Sequence, residues 1–150
     1  MSGSEIEMVV VNYKTDDLLD RFVRSYEEYR PRTRSRLTVV DVESEDVYSP
    51  PVAGYRWIAH RENVGYAYAC NDAVRTLDPR VEFLAFFNAD TMFVNADCVD
   101  RCVKFFEENP RAGVVGPLQY KIDGTVTHAG FFGTRRTPRE RAFGQPVGKE

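Results

Sequence analysis

Short apolar runs alternate along the chain with stretches where apolar residues recur at helical spacing. Met8–Val11 is a valine-rich run, and after it Leu18, Leu19, Phe22, Val23 and Tyr26 repeat at intervals of three and four. That spacing puts the five on one stripe of a helix, so the pattern predicts a strand followed by an amphipathic helix. Asn12 is expected to stop the strand. Thr15 is placed to cap the helix, and Asp16 and Asp17 suit the positive end of its dipole. Pro31 closes it. A second strand is expected over Leu37–Val40, stopping at Asp41, which completes the strand–helix–strand unit of a parallel sheet.

Residues 43–54 are acid-rich and carry Ser-Pro-Pro and Gly54, a loop composition. Tyr55–Ala59 reads as a third strand, and Gly65 introduces a helix over Tyr66–Thr76, broken before Pro79. Phe83–Phe87 is an unbroken apolar run, read as a strand buried on both faces, and it runs out into Asn88-Ala89-Asp90. A further helix is expected with Asn95 as its cap, burying Val99, Cys102, Val103 and Phe106. Leu118–Ile122 and Thr125–His128 flank Asp123-Gly124, a two-residue hairpin signal. The arginine-rich stretch 134–150 is broken by prolines and glycines and is expected to be a flexible tail. The result is one α/β domain over residues 1–133: a mostly parallel sheet flanked by helices, with a C-terminal β-hairpin.

Composition narrows the partners. The 150 residues are 43% hydrophobic and 29% charged, with a net charge of −3. That profile is ordinary for a globular domain and gives no overall attraction to nucleic acid or to an anionic membrane. No apolar run approaches the roughly 18–20 residues of a bilayer span, and the N-terminus lacks the regions of a signal peptide, so a cytoplasmic protein is expected. The three cysteines lack Cys-x-x-Cys spacing, which argues against a zinc site or a disulfide framework. Cys98 and Cys102 are expected as small buried core residues.

Candidate chemistry gathers where the strands end. Open parallel sheets bind ligands beyond the carboxyl ends of their strands, and four ends here carry polar groups: Asn12, Asp41, the segment 61–65, and Asn88 with Asp90. Asn12 and the backbone around Val11 and Tyr13 could meet a nucleobase edge, with Tyr13 either stacking on it or covering the core. Asp41 could accept from a base or a ribose, or shape a turn. Gly65 permits close approach of a phosphate, and the N–H groups of Tyr66 and Ala67 suit an anion. Asn88-x-Asp90 could hold a hard divalent cation against a diphosphate, or merely cap its turn.

In their order these segments resemble the family-2 glycosyltransferases of the GT-A (Rossmann-like) fold, especially rhamnosyltransferase-like members, over residues 8–132. Val9-Val10-Val11-Asn12-Tyr13 is similar to that family's first strand. Asp41-Val42-Glu43-Ser44-Glu45-Asp46 resembles its Asp-Asn-x-Ser-x-Asp, with Val42 in place of Asn and Glu43 in place of the usual Gly. Asn63-Val64-Gly65-Tyr66-Ala67 with Asn71 resembles Asn-x-Gly-Phe-Ala…Asn, and Asn88-Ala89-Asp90 resembles the local form of the metal-binding Asp-x-Asp motif. Gly113–Pro117, Asp123-Gly124 and His128-Ala129-Gly130 match the stretch that follows.

The resemblance implies an inverting, metal-dependent transfer of a hexosyl or rhamnosyl unit from a nucleoside-diphosphate sugar. Asn12 and Asp41 would hold base and ribose, while Asn63, Gly65, Tyr66 and Asn71 line the nucleotide pocket. Ala89 completes the motif, and Asp90 would bind Mn2+ or Mg2+, supported by Asn88 and by His128 if it reaches the metal. The acceptor, whether glycan, lipid-linked or protein, is open, as is the base: uridine, thymidine or guanosine. The family's Gly-Gly-Phe-Asp stretch and acidic Glu-Asp pair, which carry the general base, have no counterpart before Glu150. A second chain or a homo-oligomer is therefore expected to complete the acceptor side; the competing reading is a non-catalytic nucleotide-sugar-binding module or a truncated remnant. A dinucleotide-binding domain is disfavoured, because no Gly-x-Gly-x-x-Gly follows the first strand.

Overall fold

The structure is a computed structural model that describes residues 5–43, 54–128, 131–134 and 137–140. It divides into two compact units, residues 1–103 and 104–150. The first unit holds β1 (Glu5–Tyr13), α1 (Asp16–Glu28), β2 (Arg34–Val42), β3 (Arg56–His60), α2 (Tyr66–Arg75), β4 (Phe83–Asn88) and the start of α3 (Asp97–Glu108). Its four strands form one fully parallel sheet in the order β3-β2-β1-β4.

The period-two alternation of β1 sends side chains to two different cores. Ile6, Met8 and Val10, with Leu37 and Val39 of β2, pack against Leu19, Phe22, Val23 and Tyr26 of α1. The intervening Val9, with Val40 and Val42, packs against Ala69 and Ala73 of α2. Phe22 is fully buried and sits 5.4 Å from the ring of Phe87 and 5.6 Å from Phe93. The predicted helical stripe is therefore the face that α1 buries.

Three expectations about strand bounds and burial change. β1 begins at Glu5 rather than Met8, and both Glu5 and Glu7 are buried. Arginines make this tolerable: Arg36 Nη2 lies 2.5 Å from Glu5, Thr38 donates its hydroxyl to Glu7, and Arg56 donates to Thr38 Oγ1 at 2.7 Å. Buried carboxylates survive when paired in this way. Second, β4 is not buried on both faces. Phe83, Ala85 and Phe87 join the α1 core, but Leu84 and Phe86 are 41% and 47% exposed. The reason is position: β4 is an edge strand among the described residues, and α2 packs over β1 and β2 on that face. Third, Cys98 and Cys102 are half-buried, whereas Cys70 is buried.

Asn95 does cap α3, accepting from the Asp97 N–H at 3.2 Å. Thr15 does not cap α1 with its side chain. Its carbonyl takes the Leu18 and Leu19 N–H groups, and its hydroxyl turns back to Asn12.

In the second unit, β5 (Gln119–Tyr120) and β6 (Val126–His128) form the expected antiparallel hairpin, with Gly124 at φ 83° in its turn. β7 (Phe131–Thr134) pairs with β8 (Thr137–Glu140), so part of the stretch expected as tail forms a second antiparallel ladder. Residues 44–53 and 141–150, including the Ser44–Asp46 part of the family resemblance, lie outside the described residues. No helix among the described residues is long and apolar enough to cross a membrane.

Candidate functional site

The carboxyl ends of all four parallel strands share one edge of the sheet, and there they enclose a cavity of about 430 Å3. Val11 and Tyr13 contribute from β1; Asn63, Gly65 and Tyr66 contribute from the entry to α2; Asn88 contributes from the end of β4, and Ala89 and Asp90 from the turn after it. The structure thus gathers eight of the sequence-selected residues around one space. Thr15, Leu18 and Val42 also line it, though their spacing marks them only as cap and core.

Asn12 and Asp41 are fully buried behind the cavity wall. They form the last-but-one register pair of β1 and β2, and Asn12 Nδ2 donates to Asp41 Oδ1 at 2.9 Å. The same amide nitrogen donates to Asp16 Oδ1 at 2.8 Å, while Asn12 Oδ1 accepts from the Thr15 hydroxyl at 2.8 Å. One side chain therefore ties β1, β2 and the first turn of α1 together, and its amide has no donor left for a ligand.

Just beyond this pair both strands end abruptly. Lys14 has φ 55° and Glu43 φ 58°, so two non-glycine residues occupy the left-handed region side by side. Each such conformation costs roughly 1–2 kcal/mol, and strain of this kind collects at functional sites. Lys14 Nζ reaches Glu43 Oε1 at 2.8 Å and lies 5.5 Å from the centre of the Tyr13 ring. The Glu43 N–H donates to the carbonyl of His60, which anchors it to the end of β3. The Lys14 ammonium, and after it the Tyr13 hydroxyl, hold the Glu43 carboxyl below the usual range.

A further wall is made by the entry to α2. Asn63 Oδ1 accepts from the Gly65 N–H at 3.0 Å, and Gly65, at φ 77°, turns the chain into α2. A side chain at Gly65 would meet no steric contact, so it is the backbone angle that calls for glycine. The first N–H groups of α2 open beside the cavity with the positive end of the helix dipole. Partial desolvation, with a smaller contribution from Cys70, pushes the pKa of the half-exposed Tyr66 phenol up to about 12.

Asn88 and Asp90 are exposed at the third wall. The Asn88 carbonyl accepts from the Thr91 N–H at 3.2 Å and from its hydroxyl at 2.7 Å, which closes the turn and presents Asp90. No three metal-ligating side chains converge among the described residues. One carboxylate beside one amide oxygen nevertheless suits Mg2+ or Mn2+, which take one or two carboxylates and complete their oxygen shell with phosphate and water.

Two further selected residues are not among those that line this cavity. Asn71 is exposed on α2 and does not line the cavity, and His128 belongs to the second unit, in β6 opposite Gln119. A second cavity of about 430 Å3 lies at the amino ends of the strands, lined in part by Arg30, Arg36 and Arg56. Each of those arginines already has a carboxylate beside it: Arg30 has Glu27, Arg36 has Glu5 and Asp78, and Arg56, which also donates to Thr38 and the Ala73 carbonyl, has Glu7 at 3.9 Å.

The model of the family described as "Glycosyl transferase family 2" matches residues 7–142. No curated protein matches the sequence. Among solved structures, the mannosyltransferase PcManGT from Pyrobaculum calidifontis, in complex with GDP-Man and Mn2+, is similar with a TM-score of 0.58 at 22% identity, over 74% of this chain and 33% of its own. TarS from S. aureus, as its 1–349 portion, gives a TM-score of 0.57 at 16% identity, over 78% of this chain and 40% of that one. A longer TarS structure gives 0.54 at 16% identity, over 84% and 25%. These likenesses establish a shared fold, and the chain spans a quarter to two fifths of the length of the proteins it resembles.

Proposed function

The chain belongs to glycosyl transferase family 2, and on that basis we propose that its strand-end cavity is the donor site of a glycosyltransferase acting on a nucleoside-diphosphate sugar. The observation that carries this reading is the meeting of Tyr13, the Asn63–Gly65 turn and Asp90 around one space of about 430 Å3, which suits a nucleotide. Tyr13 offers a ring and Val11 its backbone to the base. The Gly65 turn and the first N–H groups of α2 receive the diphosphate, and Tyr66 donates its hydroxyl beside them. Asp90, with Asn88, would hold a divalent cation, and the complex of PcManGT with GDP-Man and Mn2+ is consistent with that pairing.

In the reaction the bond between the sugar's anomeric carbon and the β-phosphate oxygen breaks, and that oxygen keeps the electron pair. The acceptor hydroxyl bonds to the anomeric carbon from the opposite face, with inversion, and gives its proton to a base. A bound divalent cation would supply charge stabilisation for the departing diphosphate. The dipole of α2 and the Tyr66 hydroxyl add to it from the protein side. Among the cavity-lining residues Asp90 is the sole carboxylate, so once it holds the cation no second carboxylate of this lining is left to serve as the acceptor's base. That same observation favours one other reading, a module that binds the nucleotide sugar without turning it over.

The test is calorimetric titration of GDP, UDP and dTDP with and without Mn2+, followed by an assay of donor hydrolysis. Mn2+-dependent binding with slow hydrolysis is expected. Tight binding without turnover, even with acceptor and partner chain supplied, would leave the binding module, and absence of all nucleotide binding would overturn the donor site.

A further inference from the structure

Resting on the donor-site reading, we propose that the Lys14–Glu43 ion pair, next in the chain to the cavity-lining Tyr13 and Val42, selects guanine, so that the donor is a guanosine-diphosphate sugar.

Tyr13 and Val42 line the cavity, and Lys14 and Glu43 follow them immediately. Both residues sit in the left-handed region, at φ 55° and 58°, where glycine would be unstrained. What the strain secures is a charged pair, 2.8 Å apart, placed beside the ring offered to the base. The position is also held firmly: the Glu43 N–H is anchored on the His60 carbonyl at 2.8 Å. Its side chain keeps 35% of its surface exposed, so the carboxylate can be reached by a ligand.

A carboxylate offers about four acceptor positions, of which the Lys14 ammonium and the Tyr13 hydroxyl take two, so Glu43 can accept from a ligand while the pair holds together. It then presents acceptors on one side and donors on the other. Guanine complements that order. Its N1–H and exocyclic N2–H lie side by side and can meet the two carboxylate oxygens together, and the neighbouring O6 accepts from an ammonium. Uracil and thymine put a carbonyl oxygen on each side of their one N3–H, so one of those oxygens would face the carboxylate. Adenine offers a single donor group beside an acceptor and leaves the second carboxylate oxygen unmatched. Sites built around a hydrogen bond reject a ligand that cannot make it far more strongly than apolar pockets reject a misfit.

The test is calorimetric titration of the full chain with GDP, ADP, UDP and dTDP at fixed Mn2+, repeated for Glu43→Gln, with thermal melting to confirm that the variant is folded. GDP is expected to bind at least tenfold tighter than the other three, and Glu43→Gln to shrink that ratio tenfold or more. UDP, dTDP or ADP binding as tightly as GDP would overturn the guanine assignment and leave the donor site standing. Equal weakening of every nucleotide by Glu43→Gln would also overturn it, by showing a general effect. Failure of all four to bind would sink both readings.

Discussion

Asn12 and Asp41 hold each other across the ends of the two central strands, 2.9 Å apart and without exposed surface. The contact sets where Tyr13 and Val42 emerge, and so sets the rim of the cavity.

Asn12→Ala removes the donor to Asp41, the donor to Asp16 and the acceptor for Thr15 in a single step. A buried carboxylate that loses such a partner costs about 2–4 kcal/mol. Urea denaturation should show a loss of that size, and nucleoside-diphosphate affinity should fall with it even where the variant is fully folded.

Asp90→Ala should behave in the opposite way. Asp90 is exposed, and substitutions at such positions usually change stability by less than about 0.5 kcal/mol. The dependence of nucleotide binding on Mn2+ should disappear. Retained metal dependence in a calorimetric titration would move the cation away from this turn.

The edge position of β4 separates two phenylalanines of similar size. Phe22→Ala empties a fully buried site and should cost about 3–5 kcal/mol. Phe86→Ser, on a side chain 47% exposed, should cost about 1 kcal/mol or less. Comparable losses in thermal or chemical denaturation would mean that this face is covered.

Acid should loosen the join between α3 and the segment before β2. Burial raises the Asp100 pKa, but the hydrogen bonds from the Thr33 hydroxyl, the Thr33 N–H and the Arg32 N–H outweigh it, and the net shift is downward. A carboxyl depressed in the folded state stabilises above its unfolded pKa of about 3.9 and loses that contribution as pH falls through the folded value. Asp100→Asn should therefore cost about 1 kcal/mol near pH 7, a figure already reduced for partial solvent exposure. The gap from wild type should narrow as pH falls below the unfolded value, as read from denaturation midpoints across an acid series.

Periodic positions were the legible part. The stripe Leu18–Tyr26 and the alternation in β1 and β2 announced the parallel sheet, because apolar burial is written at fixed spacing. Gly65 and the Asn88–Asp90 turn were legible too, since backbone angle and turn chemistry are local. Glu5 and Glu7 were not, because an acid reads as loop until the arginines facing it across the strands are known. Leu84 and Phe86 looked like core for a related reason: composition reports how apolar a strand is, whereas exposure depends on which neighbours it has. The lining role of Leu18 was hidden within the helical stripe, since one residue serves both core and cavity.

The strand order has a consequence during synthesis. β1 lies between β2 and β4, so its two neighbours leave the ribosome at different times. Once Val42 has emerged, β1, α1 and β2 can assemble, while the other edge of β1 stays bare until Asn88 appears. At about 5–20 residues per second that interval lasts roughly 2–9 s. An open valine-rich edge is a template for pairing with other chains, which makes those seconds the ones in which the nascent chain is most exposed to mispairing.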